Sequence, residues 1–199
     1  MYMLHNLFMT LADKVTSVRI ILAPVFFVLY LHPGSDGPVF QSIGYLAALW
    51  ALFIIIECTD WFDGRIARAR NEVTNFGKLW DPFADTLVRI TYFLCFIMTD
   101  LLPVIPFLVI LFREFGILFI RILMMQKGVA MGARAGGKPK AVCYMLTGLA
   151  CLLSVTMEKL GFAEMAGTFT QAALIIFILS MIIALVSFAD YIVYYNKTE

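Results

Sequence analysis

Four aspartates stand at helical spacing in a chain that otherwise contains few charged residues. Asp60 and Asp63 close one apolar run, and Asp81 and Asp85 open the next. On helices, each pair would occupy one face. If the two helices are neighbours, the carboxylates repel one another or take up protons unless cations neutralise them. A ligand set of oxygens with this charge is typical of Mg²⁺ or Mn²⁺, so the spacing predicts a site for one or two divalent ions.

Glycine and arginine residues accompany the acids. Gly64 directly follows Asp63, and a residue without a side chain lets a ligand approach the backbone. Gly77 stands one helical turn before Asp81, and Arg68 offers parallel N–H donors that suit a phosphate. A pocket of this kind, bridged by metal and held by arginine, is what a diphosphate ligand requires.

A solvated charged loop is the alternative interpretation of this stretch, in which the acids pair with basic neighbours. It does not explain why Asp81 and Asp85 are carried into an apolar helix, where ionisable residues are costly and usually functional. The basic neighbours in question are Arg65, Arg68, Arg70 and Lys78.

The rest of the chain must position these residues, and its composition indicates how. Hydrophobic residues make up 62% of the sequence, whereas soluble proteins are roughly half apolar. We predict an all-α integral membrane protein, a single domain over residues 1–199 with six transmembrane helices. The segment 1–12 is too short to span a bilayer, and its pattern predicts an interfacial amphipathic helix. The predicted spans cover about residues 15–31, 39–61, 81–99, 104–125, 141–157 and 166–195.

Basic residues collect in the stretches 62–80 and 126–140 and near both termini. The positive-inside rule therefore places the termini and the acidic stretch on the cytoplasmic face, which an even number of spans allows. We expect a protein of the cytoplasmic membrane with its site facing the cytoplasm. No basic patch with interleaved aromatic residues is present, so no nucleic-acid partner is predicted.

The acids and glycines, with Ala67 and Arg68, form a signature. Through this signature the chain resembles the CDP-alcohol phosphotransferase family. The six-span architecture resembles that family over essentially the whole chain. The resemblance implies transfer of a phosphatidyl group from CDP-diacylglycerol to an alcohol with release of CMP, and it suggests a homodimer. The signature reads Asp60-x2-Asp63-Gly64-x2-Ala67-Arg68-x8-Gly77-x3-Asp81-x3-Asp85.

The resemblance also implies a role for each residue of the signature. The first three aspartates would hold the metal, while Asp85 would lie near the metal and deprotonate the acceptor hydroxyl. The CDP group would contact Asp60, Gly64, Ala67, Arg68 and Gly77.

The acceptor alcohol is indicated by a narrower resemblance. The sequence TDWFDG around Asp60 and the pattern Thr16-x2-Arg19-Ile20 resemble the phosphatidylglycerophosphate synthase branch, whose acceptor is sn-glycerol 3-phosphate. An anionic acceptor requires further cations. Candidates for its phosphate are Arg113, Arg121, Lys138 and Lys140.

Several alternatives stay open for these cations and for the reaction. Arg113 lies within an apolar span, where an ion pair with Glu114 or another buried acid is the alternative to acceptor binding, and the alternative for the two lysines is positive-inside bias alone. Other acceptors of the family are inositol phosphate, inositol and serine. A divalent-cation transporter is the alternative from another class.

Two residues depart from the pattern of the branch, and the role of a third is open. Asp13 stands where the branch often has asparagine, and Glu57 stands where a small residue is usual. Glu57 would either support the metal ligands or pair with an arginine in the membrane. Arg89 follows Asp85 by one turn and would hold that aspartate in place, although its role stays open.

Overall fold

Six α-helices account for the described part of the chain. The computed structural model describes residues 10–31, 43–69, 74, 76–128 and 137–197, with the side chains at 61, 63–69, 137–138 and 196–197 outside the description. The described residues contain no strand, which confirms the all-α prediction. The helices are α1 (Leu11–Tyr30), α2 (Ile43–Ala69), α3 (Gly77–Met98), α4 (Val104–Gln126), α5 (Gly137–Lys159) and α6 (Ala163–Lys197).

A capping box starts α1. The Thr10 Oγ1 atom accepts a hydrogen bond from the Asp13 N–H at 3.2 Å, and the Asp13 carboxylate accepts one from the Thr10 N–H at 2.9 Å. These bonds satisfy N–H groups that a helix start leaves unpaired. The helix therefore begins at Leu11, earlier than the predicted first span, and Asp13 has a local structural role. Residues 1–9, which carry most of the predicted interfacial helix, lie outside the described residues.

The charged stretch between the second and third apolar runs is more helical than its hydropathy suggests. α2 continues to Ala69 instead of ending near residue 61, and α3 starts at Gly77 instead of near residue 81. Alanine and arginine are good helix formers. The loss of apolar periodicity after residue 61 therefore marks the end of the apolar surface and not the end of the helix.

Among the described residues, three helices are long and apolar enough to cross a membrane, which identifies a membrane protein. The other three helices, α1, α3 and α4, each carry at least three ionisable residues and are not among these candidates. The count of six spans therefore stays a prediction. The apolar segment of α6 has 33 residues, about 50 Å at 1.5 Å per residue, which exceeds the roughly 30 Å of a hydrocarbon core. The candidate segments are Ile43–Asp60, Pro139–Lys159 and Ala163–Tyr195.

The chain forms two compact units, and α3 contributes residues to both. The first unit contains α1, α2 and α3 as far as Thr91. The Tyr45 hydroxyl donates a hydrogen bond to the Leu29 carbonyl at 3.0 Å and so joins α2 to α1. The single-domain prediction stays a prediction. The apolar core of this unit includes Ala23, Phe26, Leu49, Phe53, Ile56, Ala84 and Val88.

The second unit contains the remainder of α3 together with α4, α5 and α6. A short turn joins α5 to α6, and Gly161 adopts a φ of +85° there, a backbone conformation that glycine accepts without strain. The Phe93 ring packs against Tyr144 and Phe177, with ring centroids 5.4 Å and 4.9 Å apart. These contacts place aromatic rings of α3, α5 and α6 in one core.

The close approach of α4 to α6 at Gly116 provides a test of this packing. A Cβ atom at Gly116 would lie 2.9 Å from Cζ of Phe188. We expect Gly116→Ala to lower the apparent melting temperature of the detergent-purified protein, because overpacking costs about 1–3 kcal/mol. Adding Phe188→Leu should restore most of the loss.

Gly167→Ala is the matched control, because a Cβ atom at Gly167 meets nothing within 4 Å. Equal losses in the two alanine variants would contradict the close contact between α4 and α6.

Candidate functional site

Three carboxylates meet where α2 and α3 come together in the first unit. Asp60 lies on α2, and Asp81 and Asp85 lie on α3. One oxygen from each falls within 4.8 Å of the other two. Their side chains are 39%, 44% and 42% exposed, respectively, so none is fully enclosed by the protein. Hard carboxylate oxygens are the ligands that Mg²⁺ and Mn²⁺ prefer, so these acids form a candidate divalent-cation site.

Helical geometry explains why these acids face the same way. Asp81 and Asp85 are one turn apart on α3 and therefore share a face. The helix starts at Gly77, whose N–H donates a hydrogen bond to Thr74 Oγ1 at 2.9 Å. This side-chain contact satisfies one of the N–H groups exposed at the helix start.

A buried arginine lies among the three acids. The Arg19 side chain on α1 is 1% exposed, and its Nη1 atom donates a hydrogen bond to Asp60 Oδ1 at 2.7 Å. Its Nη2 atom contacts Asp81 Oδ1 and lies 3.1 Å from Asp85 Oδ1. With all four groups ionised, the cluster retains an excess of two negative charges, the charge of one divalent cation. The donor set therefore fits such an ion with the arginine in place.

The sequence prediction missed the role of Arg19 in this cluster, having treated it as a mark of the branch and as a flanking basic residue. The available signal was its position in an apolar helix, where an ionisable residue requires an opposite charge. That signal shows the need for a partner but does not identify it, because Asp60 is 41 positions away in the chain.

Two further contacts join α1 to the start of α3. The Trp80 indole N–H donates a hydrogen bond to Ser17 Oγ at 3.1 Å. The Asp13 carboxylate lies so close to Gly77 that a Cβ atom there would be 2.9 Å from Asp13 Oδ1. Glycine at this position therefore has a packing reason besides the CDP contact that the resemblance implies.

A second ion pair lies one helical turn from the acid cluster. Arg89 on α3 donates to both carboxylate oxygens of Glu57 on α2, with Nη2 and Oε2 2.9 Å apart. Glu57 precedes Asp60 by one turn, and Arg89 follows Asp85 by one turn. The pair fixes α2 against α3 beside the acids. It gives Glu57 the arginine partner that sequence analysis left as one of two alternatives.

A separate polar network surrounds Glu114 in the second unit. The Glu114 carboxylate is 10% exposed and accepts hydrogen bonds from Arg113 Nη1 at 3.0 Å and from the Tyr144 hydroxyl at 3.0 Å. Lys140 Nζ donates to both of its oxygens, at 2.7 Å and 2.8 Å. One buried acid thus binds groups from α4 and α5.

The other donors of Arg113 point to α6. Its Nε atom donates to the Ala184 carbonyl at 3.1 Å, and its Nη2 atom donates to Ser187 Oγ at 2.8 Å. These bonds, with the Glu114 contact, correspond to the structural alternative that the sequence left open for Arg113. Arg121 Nη2 donates to the Tyr191 hydroxyl at 3.2 Å.

The remaining predicted site residues lie outside the described side chains. Asp63, Gly64, Ala67 and Arg68 lie on the last turns of α2, and Lys138 lies on the first turn of α5. The predicted metal, CDP and acceptor roles of these residues stay predictions.

Comparison with known proteins places the chain among lipid-synthesising enzymes. A family model described as CDP-alcohol phosphatidyltransferase matches residues 9–193. The chain is 34% identical over 194 residues to the CDP-diacylglycerol--glycerol-3-phosphate 3-phosphatidyltransferase of Treponema pallidum, covering 92% of this chain and 88% of that one. It is 36% identical over 148 residues to the protein of the same name from Bacillus subtilis, covering 72% and 76%. A probable phosphatidylglycerophosphate synthase of Mycobacterium tuberculosis is 27% identical over 183 residues, covering 92% and 79%.

Glycine at position 77 has two explanations, packing against Asp13 and close approach of the CDP group. A double-mutant cycle distinguishes them. We expect Gly77→Ala to lower the apparent melting temperature, because the added methyl group meets the Asp13 carboxylate. In an Asp13→Ala background the same change should cost less stability, because only the contact with Thr74 Oγ1, 3.1 Å from the added atom, remains. Thermal unfolding of the original protein, the two single variants and the double variant measures the coupling between Asp13 and Gly77. Binding of a cytidine nucleotide is measured on the same four proteins. A stability loss of the same size in both backgrounds would contradict the packing explanation.

Proposed function

The chain belongs to the CDP-alcohol phosphatidyltransferase family, and from this premise we propose that it transfers the phosphatidyl group of CDP-diacylglycerol to sn-glycerol 3-phosphate. The products are phosphatidylglycerophosphate and CMP. The observation that carries the acceptor assignment is the name shared by two relatives at 34% and 36% identity, which are glycerol-3-phosphate 3-phosphatidyltransferases. The enzyme class itself follows from the family.

We propose that Asp60, Asp63, Asp81 and Asp85 hold one or two Mg²⁺ or Mn²⁺ ions. The support is the convergence of three of these carboxylates within 4.8 Å. When bound, a divalent ion would spread the negative charge of the diphosphate and of the departing CMP. The Gly64, Ala67 and Arg68 segment of α2, with Gly77 of α3, would then bind the CDP group beside these acids.

Asp85 is the proposed base. It accepts the proton of the acceptor hydroxyl as that oxygen forms a bond to the phosphorus of the phosphatidyl group. The bond from the same phosphorus to the CMP oxygen breaks, and CMP leaves with the electron pair. The partial exposure of Asp85, 42% of its side chain, supports this role because the acceptor must reach the carboxylate.

The phosphate of the acceptor requires cations, and we retain Arg113, Arg121, Lys138 and Lys140 as the proposed set. The described contacts impose a condition on two of them. Arg113 and Lys140 both donate to Glu114, so an acceptor phosphate would have to share or replace that carboxylate. Lys140 suits such an exchange, because an ammonium group on a flexible stem turns between partners more readily than a guanidinium with several bonds.

The membrane arrangement completes the proposal. Six spans, an interfacial helix at the amino terminus and a single domain would place the acids at the cytoplasmic face of the cytoplasmic (inner) membrane. The supports are the three apolar helices and the distribution of basic residues. A homodimer is proposed from the family resemblance.

The reaction is tested with the purified protein in mixed micelles of detergent and CDP-diacylglycerol. We expect CMP release only when glycerol 3-phosphate and Mg²⁺ or Mn²⁺ are both present, and loss of release after chelation.

Asp85→Asn should abolish release while CDP-diacylglycerol binding persists, because the amide cannot accept the proton. Asp100→Asn is the control, since Asp100 is an exposed acid at the end of α3, outside the cluster.

Release of CMP with serine, inositol or inositol phosphate in place of glycerol 3-phosphate would overturn the acceptor assignment. Activity retained in Asp85→Asn would remove that residue as the base. Ion flux into sealed vesicles without any nucleotide would favour the transporter alternative.

The acceptor role of Lys140 is tested separately. We expect Lys140→Gln to raise the KM for glycerol 3-phosphate roughly tenfold or more with a smaller effect on kcat, because hydrogen bonds to charged groups contribute about 1.5–3 kcal/mol. Glu114 keeps Arg113 and Tyr144 as partners in this variant. Lys159→Gln, at the other end of α5, is the matched control. An unchanged KM would assign Lys140 to the Glu114 network alone.

A further inference from the structure

Arg19 contacts the acid cluster from within the protein. Its guanidinium is 1% exposed, whereas the three carboxylates that it touches are 39–44% exposed. The carboxylates therefore bind a cation on their buried side while part of each stays uncovered by the protein. An ion that arrives from solvent meets oxygens that already interact with a fixed positive charge.

The need for this charge follows from the spacing of the acids. Carboxylate oxygens within 4.8 Å of one another repel strongly when ionised and unpaired. A guanidinium is planar, keeps its proton under all ordinary conditions and donates in several directions, so one group serves carboxylates on two helices. The bonds to Asp60 and Asp81 join α1 to both α2 and α3 at this point.

We infer that Arg19 is the positioning residue of the proposed metal site: it holds the three carboxylates together in the ion-free protein and sets their affinity for the divalent ion by competing for them. This inference rests on the proposed metal-dependent function. Arg19 is thus an internal cation, and its positive charge repels the bound ion.

The sign of the effect follows from electrostatics. The guanidinium and a divalent cation carry like charges and share the same carboxylates, so each weakens the binding of the other. Such coupling is reciprocal. Removing the positive charge of Arg19 should destabilise the ion-free protein through repulsion among the acids and should also strengthen ion binding. The ion then supplies the neutralisation that the arginine provided.

The test compares the apparent melting temperature of the purified full chain in EDTA with that in saturating Mg²⁺. We expect Arg19→Gln, which keeps N–H donors but loses the charge, to melt at a lower temperature in EDTA. Its stabilisation by Mg²⁺ should exceed that of the original protein by several degrees. Mn²⁺ titration followed by electron paramagnetic resonance should give a dissociation constant roughly tenfold lower, within the usual range of coupling between sites.

Two further variants separate the charge from general packing. Arg19→Lys keeps the charge, so it should lose stability in EDTA while its Mg²⁺-dependent shift stays close to that of the original protein. Tyr45→Phe loses a hydrogen bond between α1 and α2 that involves none of the clustered acids. It should therefore lower the melting temperatures in EDTA and in Mg²⁺ equally.

Equal Mg²⁺-dependent shifts in the original protein and in Arg19→Gln would overturn the inference and leave Arg19 a purely structural residue. If Mg²⁺ shifts neither protein, the proposed metal site fails, and the inference fails with it.

Discussion

Carboxylates from α2 and α3 meet around the buried guanidinium of Arg19 on α1, and the arrangement of the first unit depends on this contact. Without a cation between them, the acids would separate the helices or take up protons. The ion pair between Glu57 and Arg89 repeats the principle one turn away, joining the same two helices. Opposite charges on neighbouring helices thus hold α1, α2 and α3 together around the acids, beside the apolar core and the uncharged hydrogen bonds of this unit.

The second unit uses the reverse arrangement, in which one acid binds several donors. Glu114 accepts from Arg113, Lys140 and Tyr144, and Arg113 extends the network to α6. Lipid-facing helices gain little from apolar contact with one another, because the lipid is equally apolar, so hydrogen bonds and close packing fix their positions. The two clusters differ in exposure. The half-exposed acids of the first unit are open to a ligand, whereas the buried carboxylate of Glu114 is suited to holding helices together.

Sequence reasoning succeeded where the information was local. The all-α class and the family followed from hydropathy and from a signature of eight positions, and the family match confirms the latter. Helix ends were less accurate, because α2 and α3 extend into charged residues that keep helical propensity without apolar periodicity. Of the four acids that helical spacing was expected to bring together, Asp60, Asp81 and Asp85 lie close to one another, and the side chain of Asp63 lies outside the described residues. The position of Arg19 was missed, because its partners lie 41 and 62 positions away.

The sequence by itself determined the chemistry that is available: carboxylates at helical spacing, glycines beside them, and basic residues elsewhere in the chain. These features depend on residue type and on the period of the α-helix, both of which are local. Only the tertiary structure decided which charges neutralise one another. Arg19 pairs with the acid cluster, Arg89 with Glu57, and Glu114 with Arg113 and Lys140. Pairing between distant residues depends on how each helix is rotated and packed against its neighbours, which the side chains of the whole unit set together.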